Sequence, residues 1–150
     1  MKIMKSKRII RKSTLYRYSL ALALMISPVA AESSKDLFNG RSLDGWEGDP
    51  QIWRVENGAI TAEIKEGETL RNNSFLYQKD QFADFILELD FQISGGPSAN
   101  SGIQFRSRKE PDGHAAGYQA DIDQGETWLG RIYDEHGRKL IAERGVQTTS

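Results

Sequence analysis

Residues 36–150 predict an all-β fold, a sandwich or jelly roll assembled from many short strands. Turn signals recur along this stretch, at Asn39-Gly40, Asp44-Gly45, Asn57-Gly58, Gly95-Gly96-Pro97 and His136-Gly137. The runs between these turns are short and strand-like, with apolar and polar residues alternating in the clearest of them. No long segment repeats its apolar residues every 3.6 positions, so this part of the sequence gives no sign of helices.

Eight runs are expected to form strands, and the first two carry a hairpin signal. In chain order they are Ile52–Val55, Ala59–Ile64, Phe75–Gln78, Phe85–Ser94, Ile103–Arg106, Gly117–Asp123, Leu129–Tyr133 and Lys139–Glu143. The first two flank Glu56-Asn57-Gly58, and Asn-Gly between apolar runs is a strong hairpin signal. Phe85–Ser94 is the clearest strand, because every second residue from Phe85 to Ile93 is apolar.

The first 31 residues have the order of a secretory signal peptide and predict a signal helix ahead of the β-domain. A basic stretch is followed by the apolar run Ser19–Ile26 and by the small residues Val29-Ala30-Ala31. The apolar run is shorter than the ~20 residues that a membrane span needs. We therefore expect cleavage after Ala31, no stable membrane span afterwards, and a secreted or periplasmic location. An uncleaved anchor is the alternative.

Composition and charge exclude several classes of function. The chain has no cysteine, which rules out disulfides, thiolate nucleophiles and cysteine-ligated metals. Seven of the 20 Lys and Arg residues lie in the first 31 positions, which hold no acid, so 13 basic and 21 acidic groups remain elsewhere. An acidic body without a basic stripe argues against a nucleic-acid partner.

Alternation along three of the strands predicts a polar surface on one sheet, since successive side chains point to opposite faces. If these strands share a sheet, its outer face carries Glu88, Asp90, Gln92, Gln104, Arg106, Gln119, Asp121 and Asp123. A solvated antiparallel sheet is polar on one side by default, which is the simpler interpretation. This face has no Lys, however, and carboxylates and amides near aromatic rings suit sugar hydroxyls and the flat faces of sugar rings.

Five segments, in the same order and with similar spacing, resemble the 3-keto-disaccharide hydrolase domain family. They are Leu37–Trp46, Trp53–Ile60, Asp84–Ile93, Asn100–Arg106 and Gly117–Asp123. Two positions depart from the family pattern. Gln119 replaces the usual Glu after Gly-Tyr, and Asp121 stands at the following Gln position, so the acid has moved two residues along the same strand face.

The resemblance implies a concanavalin-like jelly roll in an exported protein that takes part in carbohydrate breakdown. It implies glycosides already oxidised at C3 as substrates, and hence a functional link to a sugar 3-dehydrogenase. The family domain continues for several strands after the region matched here. The resemblance therefore also implies a C-terminally truncated, partial sandwich with apolar sheet surface left uncovered.

A ketone at C3 acidifies the C2 proton, so the glycosidic bond of such a substrate breaks by base-initiated elimination, and water is added afterwards. The reaction needs a base with a pKa near the working pH and a group that stabilises the enolate. Asp121 or Asp123 is the expected base, because two carboxylates on one strand face raise each other's pKa. Arg106 is the expected enolate stabiliser. The residues expected to hold the sugar are Gln104, Gln119 and Glu88.

Other uses of these groups stay open at the level of sequence. Asp121, Asp123 and Glu88 would offer oxygen ligands to calcium, whereas no other cofactor or metal is expected. His114 and Tyr118 are further candidates for the acid that protonates the leaving group. The chain is alternatively an inactive fragment of the hydrolase, or a non-catalytic carbohydrate-binding module with a platform at Trp46, Trp53 or Trp128.

Overall fold

The computed structural model describes residues 2–11, 34–65 and 67–147, and every regular element within these ranges is a β-strand. The strands are β1 Lys2–Arg11, β2 Ser34–Lys35, β3 Trp46–Glu47, β4 Trp53–Glu56, β5 Ala59–Ala62, β6 Tyr77–Gln78, β7 Phe85–Gln92, β8 Asn100–Lys109, β9 Ala115–Asp123, β10 Ile132–Glu135 and β11 Lys139–Ala142. The predicted all-β class is therefore confirmed.

The strands are arranged in three antiparallel groups. One sheet contains β1, β2, β4, β5 and β7, and within it β1 pairs with β2, β5 and β7. The second sheet is the four-stranded meander β8-β9-β10-β11, and β3 pairs with β6 in a separate ribbon. Apolar side chains of β7 and of the β8–β9 pair border the same cavity. This arrangement is consistent with a partial β-sandwich.

The first strand lies inside the segment that the sequence predicts as a signal peptide. β1 pairs antiparallel with β7 along its length, from Lys2 opposite Gln92 to Arg11 opposite Phe85. The apolar run, the expected cleavage position and the expected signal helix fall in residues 12–33, outside the described ranges. The signal peptide stays a prediction. Across residues 2–11, 34–65 and 67–147, no helix is long and apolar enough to cross a bilayer.

The eight predicted runs correspond to β4–β11, whereas β1, β2 and β3 were not predicted. Asn57 and Gly58 have φ angles of 52° and 72° and join β4 to β5 as the predicted hairpin turn. β10 begins only at Ile132, three residues after the predicted start at Leu129. The delay arises because a turn precedes it, closed by a 3.0 Å hydrogen bond from the Arg131 N–H to the Trp128 carbonyl.

Few apolar residues are buried in the described part of the chain. They are Phe38, Ile60, Ala62, Ala115, Ala116 and Ile122. Between β7 and the β8–β9 pair lies an open apolar cavity of about 570 Å³, bordered by Leu87, Leu89, Ile103 and Phe105 among others. Phe91 at its border is 47% exposed. A partial sandwich is expected to leave apolar surface of this kind uncovered.

A β-bulge interrupts the pairing of β8 with β9. Phe105 lies opposite Tyr118 and Arg108 opposite Ala116, so Arg106 and Ser107 together face Gly117. A Cβ on Gly117 would lie 2.6 Å from the Ser107 Cα and 2.7 Å from the Arg106 carbonyl oxygen. Gly117 also has a φ of 145°, which side-chain-bearing residues rarely adopt. The bulge therefore requires glycine at position 117.

We predict that Gly117→Ala lowers the free energy of unfolding by at least about 3 kcal/mol, because it combines a disfavoured φ with a backbone clash. Gly113→Ala is the matched control, since Gly113 has a φ of 87° but no atom within 4 Å of a Cβ. Its expected cost is about 1–2 kcal/mol. Urea unfolding followed by circular dichroism measures both values, and equal costs would contradict the clash.

Candidate functional site

Three hydrogen bonds in series connect β8 to Asp121 on β9. The Ser107 hydroxyl donates to Gln104 Oε1 over 2.8 Å, and Gln104 Nε2 donates to Gln119 Oε1 over 2.9 Å. Gln119 Nε2 then donates to Asp121 Oδ1 over 2.7 Å. Because every donor points toward the carboxylate, the bonds polarise one another in the same direction. We call these four residues the polar chain.

The strand register explains why the polar chain forms. Gln104 lies directly opposite Gln119, and Gly102 lies opposite Asp121. Opposed residues of an antiparallel pair share a face, so the two amides meet. Gly102 leaves the room that the Gln119 side chain occupies, because a Cβ on Gly102 would lie 2.5 Å from Gln119 Cδ. The hydrogen bond between the two glutamines therefore depends on glycine at position 102.

Asp121 is a buried carboxylic acid with one oxygen left unpaired. The residue is 6% exposed, and its Oδ2 is buried with no hydrogen-bond partner in the described part of the chain. Burial is the main reason that the pKa of Asp121 lies above its ordinary value, and the nearby charges of Glu135 and Asp123 raise it further. The hydrogen bond from Gln119 and the charge of Arg131 act in the opposite direction. A raised pKa suits a general base.

Asp123, the other candidate base, has both oxygens engaged by the backbone. Its Oδ1 accepts the Gly125 N–H over 3.0 Å, and its Oδ2 accepts the Trp128 N–H over 2.9 Å. The residue is 4% exposed. Asp123 thus holds the loop after β9, as a capping carboxylate does. The two aspartates that the sequence left as alternatives differ here, because only Asp121 retains an unpaired oxygen.

Arg106 takes no part in the polar chain, and its expected role as the enolate stabiliser stays a prediction. The bulge places Ser107 next to Gln104, while Arg106, with a φ of 49°, borders the apolar cavity together with Phe105. Its guanidinium lies 3.3 Å from Asp84 Oδ1, and the Arg106 side chain is 63% exposed. Ser107 was missed because a serine within a strand carries no signal of its own, and the bulge is visible only from the pairing.

The condition that all three polar strands share one sheet is not met. β7, which carries Glu88, Asp90 and Gln92, pairs with β1 in the other sheet. Glu88 therefore does not join Gln104 and Gln119, and the calcium set that combined it with the aspartates is not assembled. Within residues 2–11, 34–65 and 67–147, no three His, Asp or Glu side chains are grouped so that they would hold a metal ion.

A cation near Asp121 was not singled out from the sequence. Arg131 accepts the Asp121 N–H through its carbonyl over 3.0 Å, and its positive charge lowers the pKa of Asp121. Arg131 Nε lies 2.7 Å from Glu143 Oε2. Arg131 rather than Arg106 is therefore the arginine that acts on Asp121.

The two other candidate acids take part in ring contacts. The His114 ring lies 6.1 Å from that of Phe75 and 5.8 Å from that of His136. The Tyr118 ring lies 5.7 Å from that of Phe105, and its hydroxyl accepts a hydrogen bond from Arg138 Nη2 over 2.8 Å. Neither residue belongs to the polar chain.

Comparison with known proteins confirms the expected family. Residues 33–149 match the 3-keto-alpha-glucoside-1,2-lyase-like domain, and the chain belongs to this family. A curated relative from Bacteroides thetaiotaomicron, a 3-keto-disaccharide hydrolase, is 30% identical over 113 residues. The match covers 66% of this chain and 38% of the relative, so the chain spans well under half of that protein's length. No solved structure matches the chain.

We predict opposite effects on folding stability for the two aspartates. Asp123→Ala lowers the free energy of unfolding by about 2 kcal/mol, since two backbone N–H groups lose their acceptor. Asp121→Asn leaves it unchanged or raises it at pH 7, because the variant no longer buries a charge. Urea unfolding of both variants at pH 7 measures the difference, and a large loss in Asp121→Asn would contradict the assignment.

The pH dependence of Asp121→Asn provides an internal control. Because the pKa of Asp121 is raised in the folded chain, the folded state binds this proton more tightly than the unfolded state. Below pH 3.8, the ordinary pKa of aspartate, Asp121 is protonated in both states and does not lower the free energy of unfolding of the wild type. As the pH rises through the folded-state pKa, the wild type loses free energy of unfolding. The stability advantage of the variant should therefore grow as the pH is raised from acidic to neutral.

Proposed function

We propose that this domain cleaves glycosides that carry a ketone at C3, with Asp121 as the base that removes the C2 proton. The observation that carries the proposal is the buried Asp121 carboxylate, with its raised pKa and unpaired Oδ2, at the end of the polar chain. The name of the Bacteroides relative, 3-keto-disaccharide hydrolase, supports this class of substrate.

The proposed reaction proceeds by elimination and hydration. Asp121 takes the C2 proton, and the electron pair of that C–H bond forms an enolate with the C3 oxygen. As the ketone re-forms, the C1–O bond breaks and the departing alkoxide takes up a proton from water, while Asp121 releases the C2 proton to water and becomes a carboxylate again. Water then adds across the C1=C2 bond, so the net result is hydrolysis of the glycosidic bond. In this proposal Arg131, whose positive charge lowers the pKa of Asp121, stabilises the enolate charge.

The surroundings of Asp121 suit this role but require a movement. A carboxylate shielded from water keeps a raised pKa and is therefore a stronger base toward a carbon acid. Gln104 and Gln119 each retain one amide N–H that the polar chain does not use, which is available to sugar hydroxyls. Because Asp121 is 6% exposed, the side chains around it must shift when the substrate binds.

We also propose that the protein is exported and that a partner enzyme prepares its substrate. The order of basic, apolar and small residues in positions 1–31 supports a cleaved signal peptide and a secreted or periplasmic location. The substrate must first be oxidised at C3, so a sugar 3-dehydrogenase is the class of enzyme that supplies it. Cleavage after Ala31 would remove β1 from its pairing with β7.

We predict that Asp121→Asn lowers kcat for 3-keto-trehalose by about 10²–10⁴-fold, the usual contribution of a general base. Release of sugar by the purified protein is the measurement. Glu88→Gln is the matched control, because it makes the same carboxylate-to-amide change in the other sheet and should retain wild-type activity. In the wild type, kcat/KM should fall as the pH drops below the raised pKa of Asp121. Equal activity of the two variants would refute Asp121 as the base.

We predict that the chain, expressed from Met1 in a Gram-negative host, is recovered from the periplasm without residues 1–31. Intact-mass spectrometry of the periplasmic fraction gives the cleavage position directly. Replacing Leu20 and Leu22 by Asp should block export, because the apolar run is what the export machinery reads. Recovery of the full-length chain from the cytoplasm alone would contradict the export proposal.

A further inference from the structure

The turn between β9 and β10 is fastened to β9 at three points. Asp123 accepts the Trp128 N–H, Gly130 N–H donates to the Asp121 carbonyl over 3.1 Å, and the Asp121 N–H donates to the Arg131 carbonyl. Gly130 has a φ of 77°, which the third position of this turn requires. The turn is therefore positioned by the main chain of the same residue whose carboxylate ends the polar chain.

Trp128 is the most exposed of the three tryptophans. Trp46 Nε1 donates to the Leu37 carbonyl and Trp53 Nε1 donates to Ser74 Oγ, each over 3.0 Å in a part-buried setting. Trp128 is 39% exposed on the surface of the turn. Two of the tryptophans are thus built into the fold, and the third presents its indole ring to solvent.

The Trp128 ring is held in place before any ligand arrives. The Arg131 guanidinium lies 5.2 Å from the indole centroid, and Arg131 is itself fixed by its ion pair with Glu143. The Tyr133 ring meets the indole at 90°, with 6.1 Å between centroids. A ring whose orientation is already fixed loses little conformational entropy when it binds a partner.

Tyr133 connects this aromatic cluster to the polar chain. It lies directly opposite Gln119 in the pairing of β10 with β9, so the two side chains are on the same face of the sheet. The indole is therefore linked through Tyr133 to the row of amides that ends at Asp121. An aromatic face beside amide and carboxylate groups matches a sugar ring, which presents C–H groups on its flat side and hydroxyls around its edge.

We propose that Trp128 is the stacking platform for a pyranose ring whose hydroxyls reach Gln104 and Gln119. That this ring is the one from which Asp121 removes a proton rests on the proposed function. Binding of the ring to Trp128 does not require a ketone. Because the Asp121 main chain fastens the turn, the platform sets the position of the bound ring relative to the Asp121 carboxylate. Asp123 is a positioning residue in this arrangement, since it holds the Trp128 backbone.

The test uses trehalose, which lacks the ketone, as the binding probe for the full chain, with tryptophan fluorescence and isothermal titration as readouts. Trp128→Ala should weaken trehalose binding roughly tenfold, and Trp128→Phe should restore part of the loss. Trp53→Phe is the matched control and should bind as the wild type does. Thermal unfolding confirms that each variant is folded before it is titrated.

The outcomes separate this inference from the proposed function. If Trp128→Phe and Trp128→Ala bind trehalose as tightly as the wild type, or if the wild type does not bind it, the platform is refuted. If the wild type binds trehalose through Trp128 but does not cleave 3-keto-trehalose, the platform stands and the proposed reaction fails. If the wild type and Trp128→Ala both cleave 3-keto-trehalose with the same KM, the proposed reaction stands and the platform is refuted.

Discussion

The pairing register of β8 with β9 positions every group of the polar chain. It places Gln104 opposite Gln119 and the side-chain-free Gly102 opposite Asp121, so the amide of Gln119 can lie across Gly102 and reach the carboxylate. A slip of one residue would exchange the two faces of β8 and put apolar side chains where the amides now meet. The bulge at Ser107 adds a hydroxyl to the chain while turning Arg106 to the other side.

The buried, unpaired Oδ2 of Asp121 lowers the free energy of unfolding, and contacts elsewhere in the structure have to offset this loss. A buried acceptor without a partner costs roughly 1–3 kcal/mol, and such groups concentrate where chemistry is performed. The hydrogen bond from Gln119 reduces that cost on Oδ1 but leaves Oδ2 unpaired. Asp123, two residues along the same strand, shows the contrasting arrangement, because two backbone N–H groups satisfy both of its oxygens.

The sequence predicted strands β4–β11, the Asn57-Gly58 hairpin and the common face of Gln104, Gln119 and Asp121, because each depends on the two-residue period or on local turn chemistry. It did not predict features that depend on the partner strand. The direction of Arg106 follows from a bulge opposite Gly117, and Glu88 lies in the other sheet because β7 pairs with β1. The residues just before Ile132 form a turn instead of the predicted strand. The Arg131 N–H closes this turn on the Trp128 carbonyl, and backbone bonds fasten it to β9, which leaves no sequence signal.

The fate of the hydrogen at C2 tests Asp121 as the base most directly. A 3-keto-trehalose carrying deuterium at C2 of the oxidised ring should release its label into water at the rate of turnover, with a primary isotope effect on kcat/KM. In Asp121→Asn, release of the label should fall to the rate seen in buffer alone. Release at the wild-type rate from this variant would contradict the account, because another group would then be removing the proton.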